Sequence, residues 1–191
     1  MMRWIFLSAA LLFCQCVSGT RVTSAQSCSE DGAVLQAVIK HVLDARPTST
    51  NQILVLYGRT LGAQLLDVER DLHFQAGALE AVQNRNISME SLPMCFSDAP
   101  VVVAAPSLVE RLSRSVSAVD TDHADQQFAA TFPRASGVYS FHLPGYTNKG
   151  RHALVHYVWT AGPLAVESAW VSLEKRGVNW TVKWHAIDWA S

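Results

Sequence analysis

Histidines, serines and a glutamate recur at alternate positions near the C-terminal end of this 191-residue chain, and alternation decides which of them can act together. From His152 to Trp159, the residues His152, Leu154, His156 and Val158 share one side of an extended strand. Ala153, Val155, Tyr157 and Trp159 share the other. Neighbouring runs contribute Ser140 and His142, Ser172 and Glu174, and Thr181, Lys183 and His185. If register aligns the runs, His142, His152, His156 and His185 decorate one sheet face with Glu174 nearby. Imidazoles converging with a carboxylate could hold zinc and support a metal-assisted hydrolase. The competing expectation is an ordinary solvent-facing sheet side, and the His-Glu-x-x-His spacing of a recognised zinc site is absent. No other cofactor is implied.

Five tryptophans, Trp159, Trp170, Trp180, Trp184 and Trp189, crowd the last quarter of the chain. Aromatic rings dominate both cores and recognition surfaces. Two or three of these should fill the core. Trp159, Trp170 and Trp189 are the candidates for an exposed patch that binds a protein, peptide or glycan. There is no Gly-x-Ser-x-Gly elbow and no glycine-rich phosphate loop, and Asp188 with His185 is too generic a pair to assign a triad. The expectation favoured here is therefore a noncatalytic binding module, with the hydrolase as its alternative.

The elements that must position these residues are readable from spacing. Met1 to Cys14 holds one early positive charge and then an apolar run too short to span a bilayer, followed by small residues, which reads as a signal peptide ending at residue 25. The remainder, 26–191, is expected to be a single exported domain in the periplasm or outside the cell, without stable membrane insertion. Removing Arg3 and Arg21 leaves 13 Lys plus Arg against 16 Asp plus Glu, so the basic footprint of nucleic-acid binding is lacking. Cys28 and Cys95 are the thiols left in an oxidising compartment; a disulfide between them would constrain the unfolded chain by about 4 kcal/mol. Cys28 also lies close to the new terminus, where chains fray, so pairing and free thiols both stay open.

Ser29-Glu30-Asp31 starts a helix whose apolar stripe runs from Val34 to Leu43 and which Pro47 ends. Ile53-Leu-Val-Leu-Tyr57 is a continuous apolar run, expected as a strand buried on both faces. A helical period from Leu61 to Asn84 is broken at Gly77. Val101 to Val103 suggests a short strand, Pro106-Ser107 a helix start, and Asp120 to Phe128 a capped helix. Gly, Pro and Asn then punctuate a meander of strands from Gly137 to Asp188. The expected fold class is α+β, with helices packed on one face of a mainly antiparallel C-terminal sheet, by fold-level analogy with NTF2-like or cystatin-like folds.

The meander also resembles a group of uncharacterised bacterial secreted proteins. The residues that carry the likeness are Phe132-Pro133, Gly137-Val-Tyr-Ser-Phe141, Pro144-Gly-Tyr146, Ala153-Leu-Val155 and Leu173-Glu-Lys-Arg-Gly-Val-Asn-Trp180, with Leu54-Val-Leu-Tyr-Gly-Arg-Thr60 upstream. In that group an "SRxGFN" turn precedes "ALVY" and then "LLEKxxGxWxV". His142 and Leu143 stand where the group has Ser and Arg, and Thr160 to Val166 lacks the group's Cys pair. The resemblance implies a bacterial envelope or secreted setting and an α+β fold, and no activity.

Overall fold

The computed structural model describes residues 29–45, 53–62, 74–93, 100–116, 121–161 and 165–190. The leader and both Cys28 and Cys95 lie outside them. Among the described residues no helix is long and apolar enough to cross a membrane.

The fold is α+β around one seven-stranded mixed sheet. Its strands are β1 (Ile53–Tyr57), β2 (Val101–Ala104), β3 (Ala135–Phe141), β4 (Gly145–Thr147), β5 (His152–Thr160), β6 (Val166–Arg176) and β7 (Asn179–Ala190). They lie in the order β2-β1-β3-β5-β6-β7, with β4 pairing β5 beyond β3. β1 is parallel to both of its neighbours, and every pairing from β3 onward is antiparallel. The expected burial of β1 on both faces follows from this central position. Leu54 and Leu56 enter the main core, and Val55 enters a second core on the other side.

Helices cover both faces rather than one. The main core is roofed by α1 (Glu30–Ala45), whose Val34, Leu35, Val38, Ile39 and Val42 pack on Tyr139, Val155, Tyr157 and Val171. On the opposite face α2 (Ala78–Arg85) places Ala78 and Val82 on Leu154 and Trp170. Beside it, Leu108 and Val109 of α3 (Pro106–Val116) and Phe128 of α4 (Thr121–Thr131) pack around Val55, Ala104 and Phe132. The physical reason is that β1, β5 and β6 carry large apolar side chains on both sides, so neither face can be left to water.

Local signals act as the sequence suggests. Ser29 caps α1, its Oγ accepting from the Gly32 N–H at 3.2 Å. Gly77, at φ 74°, immediately precedes α2, and residues 63–73 of the expected helical period lie outside the described residues. The α1 N-terminus is pinned to the sheet by charge: Asp31 receives a bidentate pair from Arg85 at 2.8 and 2.9 Å and the Tyr146 hydroxyl at 2.8 Å. Next to it, Glu30 Oε1 accepts from Lys175 at 2.6 Å and from the Trp180 indole at 2.8 Å. β7 carries irregularities near Asp188 and Lys183, which twist this edge strand away from open-ended pairing.

Gly145 is where α2 meets β4. A Cβ there would collide with the Val82 backbone nitrogen and the Ala81 carbonyl carbon, both parts of a helix rather than movable side-chain ends. Gly145→Ala should therefore lower stability by about 1–3 kcal/mol, as overpacking does, while Ser136→Ala on the exposed side of β3 stays within about 0.5 kcal/mol. Urea titration of both variants checks this.

Candidate functional site

The site begins with an interruption. β3 ends at Phe141, the chain leaves the ladder for His142, Leu143 and Pro144, and it rejoins the same partner strand as β4. Pro144 has no N–H to give a ladder, and all three residues are buried, so their polar groups need partners from elsewhere. The His142 N–H donates to the His156 carbonyl at 3.0 Å. Asn86, at the end of α2, acts as a substitute strand: its Oδ1 accepts from Leu143 N–H at 2.7 Å and its Nδ2 donates back to Leu143 O at 3.0 Å and to Val82 O at 2.7 Å. Arg85 Nη1 donates to Pro144 O at 2.6 Å.

This break turns the His142 ring onto the sheet, where it meets His156. Their Nδ1 atoms are 2.9 Å apart; His142 Nε2 lies 3.1 Å from Gly62 O, and His156 Nε2 lies 2.7 Å from Ser168 Oγ. The Gly62 carbonyl can only accept, so His142 carries its hydrogen on Nε2 and offers a lone pair at Nδ1. His156 must then donate from Nδ1 and accept at Nε2 from the Ser168 hydroxyl. One direction runs through the whole relay, Ser168 to His156 to His142 to Gly62.

The relay has the connectivity of a nucleophile, base and orienting group, but its surroundings oppose that use. His142 is 0% exposed, and His156 and Ser168 are 1% exposed. Burial pushes His142 down to about 4, against the opposing pull of its hydrogen bond to Gly62. Burial and the adjacent His142 push His156 down to about 3. A general base works best with a proton affinity matched to the operating pH, and His156 is far below it. The relay is a fully satisfied buried network, the kind that rigidifies a core.

The four histidines singled out as a metal set are not assembled. His142 and His156 meet, whereas His152 donates to Gln75 Oε1 at 2.6 Å at the rim of α2. His185 is on the α1 face, 3.0 Å from the Tyr157 hydroxyl and edge-on to His41 with ring centroids 5.3 Å apart. Two irregularities in the β6–β7 register decide which side of β7 faces α1, and strand alternation alone could not supply them. Among the described residues no three His, Cys, Asp or Glu side chains group in a way that could hold a metal ion.

The tryptophan candidates also separate. Trp170 is fully buried, not surface-forming: it packs on His156 at 4.5 Å and Phe74 at 4.9 Å between centroids, and its Nε1 donates to buried Asp188 at 3.4 Å. Trp159 and Trp189 are half-buried. Trp159 stands opposite Glu167 in the β5–β6 register, and Trp189 stands opposite Ser168 in the β6–β7 register. Both lie at the same end of the sheet. On the α1 face at this end, the Tyr157 hydroxyl donates to Glu167 Oε1 at 3.2 Å and approaches His185. His41, Tyr157, Glu167 and Ser168 were not among the sequence candidates, and Ser168 carries no local motif.

The sequon at Asn86-Ile-Ser88 is closed to modification, because Asn86 Nδ2 is buried and already donates twice. Asn179, in the second sequon, is exposed. Comparison with protein-family models, with curated proteins and with solved structures returned no match.

Two outcomes are expected. Ser168→Ala leaves the buried His156 Nε2 without its donor and should cost about 1–3 kcal/mol by urea unfolding near neutral pH. At Asp31, burial favours the neutral acid, but the Arg85 and Tyr146 hydrogen bonds outweigh it and hold the carboxyl below its ordinary 3.8. Its stabilisation is thus complete above that value and lost as pH falls through the lowered folded value. The stability gap between the native chain and Asp31→Asn should narrow in that acid range, measured by denaturant titration at successive pH values.

Proposed function

We propose that this chain is an exported bacterial protein that acts as a noncatalytic binding module, with its ligand surface on the α1 face of the sheet end that carries Trp159, Glu167 and His185. The observation that carries this reading is a contrast in access. The Ser168–His156–His142 relay, which has the connectivity for covalent chemistry, is sealed and weakly basic. On the α1 face, by contrast, Glu167, His185 and part of the Trp159 ring are half-buried and reach solvent. Rigid aromatic rings with polar edges are the groups that recognise peptides and glycans.

Export is supported by the residues before position 26, and binding by the surface just described. The mature chain, screened against glycan and peptide arrays, should show saturable binding that Glu167→Gln, which keeps an acceptor for Tyr157, weakens at least about tenfold without moving the unfolding midpoint. Ester hydrolysis that disappears in Ser168→Ala would instead make the buried relay a reactive centre and overturn the reading. N-terminal sequencing of the protein recovered from a bacterial host's envelope should begin at Gln26.

A further inference from the structure

The gap between His142 and His156 holds one hydrogen. At 2.9 Å the two Nδ1 atoms share a single N–H···N bond, and the Gly62 carbonyl decides which ring supplies the lone pair. A proton added at His142 Nδ1 points straight at the His156 N–H. Relief requires His156 to move its hydrogen to Nε2, against the Ser168 hydroxyl, which must then turn away to another acceptor. A second proton has no solution, since each Nδ1 would carry a hydrogen and the rings could not stay in contact.

We propose that the His142–His156 contact is an acid-responsive latch, whose protonation releases the break at His142–Pro144 together with the Gly58–Gly62 segment and α2, and uncovers Leu154 and Trp170. This inference is independent of the binding surface proposed above. Among the described residues, the groups that surround the pair do little to welcome a cation. β6 presents the Ser168 hydroxyl and the Trp170 ring, and β7 presents Asp188, whose carboxylate is engaged with the Trp170 indole. α2 presents the neutral Asn86 amide and the Arg85 cation, the latter seated on Pro144 O and paired with Asp31 of α1. β4 adds Tyr146, which donates to that same Asp31. The segment after β1 presents the Gly62 carbonyl.

The release is local because of what hangs on the latch. The Gly58–Gly62 segment is tied to the break by His142 and by Leu61 N–H donating to Phe141 O at 2.8 Å. α2 is tied to it through Asn86 and Arg85. The long β5–β6 and β6–β7 ladders pair through their backbones, and the only contact either imidazole adds to them among the hydrogen bonds described above is His156 with Ser168. Freed rings titrate at their ordinary 6.5, whereas the buried ones stay neutral down to about 4 and about 3. The folded values are lowered, so the latch is intact above 6.5 and weakens as pH falls. Between there and about 4, each released imidazole makes opening about tenfold more favourable per pH unit.

Hydrogen exchange of the mature chain at about pH 7 and about pH 5, corrected for intrinsic rates, tests this. Residues 58–62, 78–86 and 142–146 should lose protection by tenfold or more per unit, while 166–176 and 179–190 keep theirs. His142→Gln, which retains a donor for Gly62 but cannot take up the proton, should halve the response on a logarithmic scale, leaving the part that His156 contributes. If that variant does not fold, the native chain decides alone. Protection lost in all segments together, or unchanged throughout this window, would overturn the latch.

Discussion

A strand that leaves its ladder inside a protein exposes backbone groups to an interior that water does not reach, and each one left unpaired costs as much as a lost hydrogen bond or more. Here the break at His142–Pro144 sets that demand, and much of the molecule is arranged to meet it. Asn86 imitates a strand with one side-chain amide, Arg85 closes on Pro144, and the His142 backbone reaches His156. α2 is held where it is by supplying two of these groups. Through Arg85 the demand extends to Asp31, and so to the start of α1 on the opposite face.

The break also explains why two polar clusters stand back to back. Adjacent residues of a strand point to opposite faces, so His156 and Tyr157 diverge, as do Ser168 and Glu167. His156 and Ser168 fall beneath α2 with His142 and are sealed. Tyr157 and Glu167 fall on the α1 face, with His185 arriving from β7 and His41 from the helix. The same residue types therefore serve the fold on one side and stand half-exposed on the other, which is why composition is a poor guide to which histidine could meet a ligand.

Much of the architecture was legible in the chain. The β-branched and aromatic runs between Gly137 and Asp188, the apolar run of β1, the Ser29 cap, the left-handed Gly77 before α2 and the short β2 all behave as local propensity dictates. The coverage of the sheet was less legible. Helices were expected on one face, because polar residues alternate with apolar ones in the meander. Yet Val55, Leu154 and Trp170 needed a second cover, and that follows only from which strands become central.

The sequence by itself determined the strands, the helix starts and the alternation that made the histidines worth considering, because these depend on steric and hydrogen-bonding preferences of near neighbours. The tertiary structure alone decided that Trp170 is core, that His185 and His156 face opposite ways, and that His142 shares a proton with His156 while Ser168 closes the relay. Those outcomes rest on two register irregularities in β7 and on a break mended by residues more than fifty positions away, Asn86 with Leu143 and Arg85 with Pro144. A chain's local preferences do not encode such distant pairings one residue at a time; burying every polar group at once selects them.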